Sequence, residues 1–123
     1  MNKTIITLPE TDLTTLCLRL TGIIQRDEYL NDFDLPLRIM VETYGTLNLC
    51  LIYDEKFEGW CPEAADLSFK NISDLGPAAR RVAYVNAPDS RHLLMKMMDP
   101  LMHAEMRYFD LADEAEALLW VKS

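Results

Sequence analysis

The cysteine best placed for chemistry is Cys61, which stands directly before Pro62. Proline is favoured in the first turn of a helix, so we predict that Cys61 lies at a helix N-terminus, where the helix dipole favours a thiolate. His92 and His103 are the two histidines that could act as its base. The sequence therefore allows a small enzyme that uses Cys61 as a reactive thiol with a nearby histidine. The commoner alternative is that Cys61 only caps the helix.

Motifs for other kinds of catalysis or cofactor binding are absent from the sequence. The two histidines have no converging carboxylates, so they do not define a metal site. The four glycines stand alone, and neither glycine-rich phosphate-binding motif occurs. Acidic pairs such as Asp54-Glu55 are typical of solvated loops. We therefore predict no catalytic residues, no metal and no cofactor, and we favour a non-enzymatic protein over the thiol enzyme.

The net charge and the spacing of the cysteines restrict the kinds of partner that the protein can bind and the cellular compartment in which we expect it. Twelve Lys and Arg against twenty Asp and Glu leave a net charge of -8, which disfavours nucleic acids and anionic membranes. No apolar run approaches the roughly 20 residues that span a bilayer, and the N-terminus lacks the apolar region of a signal peptide. The three cysteines are widely spaced, which is typical of free thiols. We predict a cytoplasmic protein that is not transmembrane and binds no nucleic acid.

The pattern of apolar residues alternates between strands and helices. Short β-type runs occur at 4–8, 15–22, 47–53, 81–86 and 105–111, and turn residues between the first two predict an antiparallel hairpin. The pattern becomes helical after Gly22, with Asp27 as a plausible N-cap, a break or kink at Pro36 and a stop at Gly45. Further helices are predicted from Pro62 to Gly76, from Pro88, and at 110–122. These elements predict one α/β domain over residues 1–123, with a five-stranded, mostly parallel sheet and about four helices.

Two loops follow the central strands of this predicted sheet, at 54–61 and 86–92. Open α/β sheets bind ligands beyond the carboxyl ends of their strands, and the neighbouring helix N-termini favour an anionic or polar group. The residues predicted to bind a ligand there are Asp54, Phe57, Gly59, Trp60, Cys61, Asn86, Arg91 and His92. The alternative is that Phe57 and Trp60 plug the end of the core, while Gly59 supplies a backbone angle that other residues resist.

Two further features fit either packing or a contact surface. A methionine cluster could line an adaptable apolar pocket or interface, although filling of the core is the commoner role. Its members are Met95, Met97, Met98, Met102 and Met106. Trp120 lies off the apolar stripe of the last helix, so it either covers a sheet edge or sits at a subunit contact. A homodimer is therefore possible.

Short segments along the chain resemble the SpoIIAA-like family, small bacterial relatives of the STAS domain. They are F-E-G-W at 57–60, Ala65-Asp66 with Phe69, R-V-A-Y-V at 81–85, E-M-R-Y-F at 105–109, and Ala117 with Trp120. The resemblance covers nearly the whole chain. It implies a five-stranded, mostly parallel sheet with about four helices, wound as a βα superhelix. That fold is shared more distantly with lipid-carrying CRAL-TRIO domains.

The resemblance also bears on regulation. Anti-sigma-factor antagonists of the STAS group are switched by phosphorylation of a serine that follows the central strand at a helix start. The matching stretch here, residues 54–61, contains neither serine nor threonine, so such a switch cannot operate at that position. Members of this branch often carry a tryptophan early in the third helix, where this chain has Arg91-His92.

The sequence therefore predicts a non-enzymatic binding or protein-interaction module of STAS-like type. Its expected ligand is a small amphipathic or anionic molecule, held at the C-terminal ends of the central strands, or else a protein partner. The alternatives are a small enzyme centred on Cys61 and a structural subunit that depends on a partner.

Overall fold

The computed structural model describes residues 3–88 and 104–123, apart from the side chains of residues 72 and 73. It contains a five-stranded sheet in the order β1-β2-β3-β4-β5. The strands are β1 (Ile5–Thr7), β2 (Thr15–Ile24), β3 (Leu47–Trp60), β4 (Ala79–Val85) and β5 (Glu105–Phe109). β1 pairs with β2 antiparallel, and every other neighbouring pair is parallel. The predicted α/β class, the N-terminal hairpin and the mostly parallel sheet are confirmed.

Three helical segments accompany the sheet in the described part of the chain. The first joins α1 (Arg26–Tyr29), a π-helical turn (Leu30–Asp34) and α2 (Leu35–Tyr44) without interruption. The second is α3 (Pro62–Leu75), followed by a 3-10 turn (Gly76–Ala78). The third is α4 (Glu114–Val121), preceded by a 3-10 turn (Leu111–Asp113). The helix predicted after Pro88 falls at 89–103, outside the described residues, as do four of the five clustered methionines. None of the described helices has the length and apolar character needed to cross a membrane.

Pro36 changes the first helical segment without ending it. Proline has no amide hydrogen to donate to the carbonyl four residues earlier, and its ring crowds that carbonyl. The chain widens into the π-helical turn directly before α2, which carries Pro36 in its first turn. The segment then ends at Gly45, whose φ of 74° is left-handed and whose amide donates to the carbonyl oxygen of Val41 at 2.8 Å. The predicted stop at Gly45 is confirmed.

The described helices pack on both faces of the sheet. On one face, α1 to α3 pack on alternate residues of β2 and β3, including Leu16, Leu18 and Leu51. On the other face, α4 packs on the intervening positions, such as Cys17 and Cys50. Because the apolar residues of β3 between Leu47 and Tyr53 lie on both faces, this central strand has to be covered by other elements on both faces of the sheet.

β3 continues well beyond its apolar run. Its last residues pair with residues 22–24 of β2, so that Gly22 lies opposite Phe57 and Ile24 lies opposite Trp60. Two register shifts interrupt this pairing, and Gly22 and Gly59 adopt φ values of 64° and 132°, which side chains resist. The loop predicted at 54–61 is therefore wrong for residues 54–60: they form strand, because β2 continues to Ile24 and supplies a pairing partner for the end of β3.

Candidate functional site

Five aromatic rings form a continuous cluster at the carboxyl end of β3. Tyr53 meets Phe57 edge-on at 4.9 Å between ring centroids, and Phe57 meets Trp60 at 6.3 Å. Trp60 in turn lies 5.8 Å from Tyr29 and 6.2 Å from Phe33, which stack on each other at 4.7 Å. We refer to these five residues as the aromatic cluster. Stacked and edge-to-face contacts are both favourable for aromatic pairs, and the half-buried Trp60 packs against the core.

Asn86 follows β4 and connects it to β3 and β5 beside this cluster. Its φ of 59° is left-handed, a conformation that asparagine tolerates better than most residues. The side-chain Nδ2 donates to the carbonyl oxygen of Tyr53 at 2.9 Å, and the backbone amide donates to the carbonyl oxygen of Phe109 at 2.8 Å. Asn86 therefore lies next to the residue that begins the aromatic cluster. Asp54 follows Tyr53, and its Oδ1 accepts a hydrogen bond from the backbone amide of Lys56 at 2.8 Å.

Cys61 links the end of β3 to α3. Its amide donates to the carbonyl oxygen of Ile24 at 2.9 Å, and its carbonyl oxygen accepts from the amide of Ala65 at 2.9 Å. The thiol is half-buried beside the core. The two residues predicted to complete the site from the next loop, Arg91 and His92, lie outside the described residues, as does His103. Pairing of Cys61 with a histidine therefore stays a prediction.

The other two cysteines belong to the core. Cys17 and Cys50 are register partners on β2 and β3 and are fully buried beneath α4. Burial disfavours a thiolate and raises the pKa of Cys17 to about 11 and that of Cys50 to about 12. Both thiols are consequently protonated and shielded at neutral pH. Over residues 3–88 and 104–123, no three side chains of the metal-binding types converge.

A partly open cavity of about 50 Å³ lies beside the aromatic cluster, between the sheet and the helices α1 to α3. Leu49 and Leu51 of β3 and Val82 of β4 form its apolar floor, while Tyr29 and Phe33 form part of the opposite wall. Two polar residues of α3, Ser68 and Asn71, also line it and are 3% and 7% exposed. Tyr29 and Phe33 thus belong to both the cavity wall and the aromatic cluster.

A hydrogen-bonded network supports the polar wall of this cavity. Asn71 Nδ2 donates to the hydroxyl of Tyr29 at 2.6 Å, and Arg38 Nη2 donates to Asn71 Oδ1 at 2.9 Å. The Arg38 guanidinium also contacts Asp34 at 3.0 Å and Asp74 at 3.5 Å. Two carboxylates therefore surround one cation, which leaves no excess positive charge at this wall.

This cavity was not predicted from the sequence. A signal was nevertheless present, because Ser68 and Asn71 lie three residues apart on the otherwise apolar face of α3, and Tyr29 and Phe33 are spaced by four. What the sequence does not reveal is that these two pairs meet, since they come from separate helices. The structure brings Trp60 into contact with Tyr29 and Phe33, and Phe57 into contact with Trp60. Asn86 lies beside Tyr53 in the middle of β3, directly before Asp54, whereas Cys61 follows the end of that strand.

Comparisons with known proteins agree with the fold. The family model described as SpoIIAA-like matches residues 15–122. Among solved structures, an uncharacterized protein of the DUF3478 family from Shewanella loihica PV-4, with a SpoIIAA-like fold, is similar with a TM-score of 0.62. The two chains are 18% identical, and the match covers 87% of this chain and 83% of the other. No curated protein matches this chain.

Proposed function

Because this chain belongs to the SpoIIAA-like family, we propose that it is a non-enzymatic interaction module that holds a small apolar or amphipathic molecule in the cavity beside Tyr29 and Phe33. The observation that carries this proposal is the cavity itself, partly open and lined by apolar side chains with two buried polar residues. Ligand sites in proteins commonly combine apolar walls with a few polar groups that orient the guest.

The dimensions and the charges of the cavity restrict the guest. A volume of about 50 Å³ accommodates only a few water-sized groups, so a short aliphatic chain end or the edge of a small ring fits. Ser68 and Asn71 can hydrogen-bond to a hydroxyl or an amide. Since Asp34 and Asp74 already neutralise Arg38, a carboxylate gains little there. We therefore expect neutral amphiphiles to bind better than anionic ones of equal chain length.

Trp60, one residue of the ligand site predicted at the carboxyl ends of the central strands, lies next to the wall of this cavity. Trp60 contacts both Tyr29 and Phe33, so a guest that displaces either ring changes the surroundings of the indole. Trp60 therefore serves as a spectroscopic reporter of occupancy. Trp120→Phe removes the other tryptophan of the chain, which lies on the opposite face of the sheet with α4, and makes the emission of the variant specific to Trp60.

The experiment measures binding of hexanol, hexanoate and hexylamine to the Trp120→Phe chain by Trp60 emission and by thermal shift. Leu49→Phe adds atoms to the cavity floor and should abolish the response while the far-ultraviolet circular dichroism is retained. Leu119→Phe is the matched control, because Leu119 is 74% exposed and lies away from the cavity. If Leu49→Phe fails to fold, Ser68→Val tests the polar wall of the same cavity. Equal binding by wild type and both cavity variants would reject the proposal.

A further inference from the structure

The strand β5 lies at the edge of the sheet, and its exposed residues are mainly polar. It pairs with β4, and no other strand among residues 3–88 and 104–123 pairs with its second edge, whose main-chain donors and acceptors can pair with a further strand. Glu105 and Arg107 are exposed, and Met106 between them is half-buried. An edge of this kind either pairs with a strand of another chain or is hydrated by water. The order of charges along it determines which strand can pair with it.

Glu105 and Arg107 lie on the same face of the sheet, because they are two residues apart in a strand. The Arg107 guanidinium lies 4.9 Å from the ring centroid of Phe109 and 5.3 Å from that of Trp120, and it forms no ion pair within the described part of the chain. Glu105 approaches Arg81 only at 3.9 Å, and its side chain is 70% exposed. One anion and one cation are therefore available at neighbouring positions of the same edge.

We propose that a second copy of this chain pairs with β5 in antiparallel orientation, around a two-fold axis at Met106. This register places Glu105 of each copy opposite Arg107 of the other, which creates two oppositely charged cross-strand pairs. Such pairs stabilise adjacent strands, and the same patch is used by both copies, as a two-fold interface requires. The sheets of the two copies become continuous through their β5 strands.

The charges also select this register over its neighbours. An antiparallel two-fold pairing must place side chains of the same face opposite each other, so the axis moves in steps of one residue. With the axis at Arg107, the two guanidinium groups oppose each other, and with the axis at Glu105, the two carboxylates do. Like charges directly opposite are destabilising. Because β5 has only five residues, we expect a weak dimer that forms with rising concentration.

The test is sedimentation velocity of the full chain over a concentration series. Arg107→Glu places two carboxylates opposite each other in each pair, and Glu105→Arg places two cations there, so each single variant should weaken dimerisation about tenfold or more. The double variant Glu105→Arg/Arg107→Glu restores opposite charges and should recover the dimer. Arg80→Glu is the matched control, since Arg80 is exposed, lies outside β5 and undergoes the same change of charge.

Mixing the two single variants provides a stricter test. Arg107→Glu and Glu105→Arg should each be monomeric alone, yet together they should form a heterodimer, which native mass spectrometry identifies by its mass. A variant that has merely lost its fold cannot be rescued in this way. The proposal is overturned if the wild type stays monomeric at all concentrations, if the single variants dimerise like the wild type, or if neither the mixture nor the double variant recovers the dimer.

Discussion

The buried cysteine pair makes the stability of this protein sensitive to alkaline pH. In the folded chain, burial raises the pKa of Cys17 to about 11 and that of Cys50 to about 12, from an ordinary value of 9.0. At pH values between 9 and about 11, the two thiols are deprotonated in the unfolded chain but remain protonated in the folded chain. The free energy of unfolding that the two neutral thiols contribute is therefore fully present below pH 9 and is lost as the pH rises towards 11 or 12.

The size of this effect follows from the shift. Each pH unit above the ordinary pKa costs about 1.4 kcal/mol per thiol, so the pair should remove about 3 kcal/mol between pH 8 and pH 10. That is a large part of the stability of a small domain. Urea unfolding under reducing conditions, at steps of half a pH unit, gives the free energy of unfolding at each pH.

The matched comparison is with the Cys17→Ala/Cys50→Ala variant. Loss of buried volume should lower its stability at pH 8 by roughly 1–3 kcal/mol, but its alkaline slope should be shallower than that of the wild type. Tyrosine and lysine titrations are common to both chains and cancel in the difference. An unchanged slope in the double variant would refute the linkage reasoning.

Three further outcomes follow from individual contacts. At pH 8 a thiol reagent should modify only Cys61 in the native chain and all three cysteines in denaturant, as counted by mass spectrometry. Glu28→Gln should lower the free energy of unfolding by about 1–2 kcal/mol. The reason is that the Glu28 carboxylate accepts hydrogen bonds from the amides of Thr4 and Ile5 and so holds β1 in place. Glu55→Gln is the control and should have little effect, because Glu55 is exposed. Asn86→Ala should cost about 1–2 kcal/mol and Asn86→Gly less, since glycine tolerates the left-handed backbone; equal losses in urea unfolding would contradict this.

Much of the element order was predictable from local patterns. Pro62 begins α3 and Gly45 ends α2, because a missing amide hydrogen and a left-handed backbone angle are properties of those residues alone. The continuous apolar run in β3 likewise predicted a strand that is covered on both faces. These features depend on residues that are close together in the sequence, so local sequence patterns predict them.

Pairing between distant segments was not predictable in the same way. The polar residues at 54–56 are typical of a loop, yet β3 continues beyond them because residues 57–60 pair with residues 22–24 of β2. The cavity depends on Asn71 reaching Tyr29, which is 42 residues earlier in the chain. Neither contact has a local signature, since each requires two segments whose relative position is set by the whole sheet.

By itself, the sequence determined the number and order of the strands, the helix boundaries marked by Pro62 and Gly45, and the family resemblance. Only the tertiary structure decided that β3 extends to Trp60 and that the aromatic cluster shares two rings with a cavity wall. The physical reason is range: hydrophobic periodicity and backbone preference act within a few residues. Strand pairing and ring contacts, in contrast, are fixed by the packing of segments that the chain places far apart.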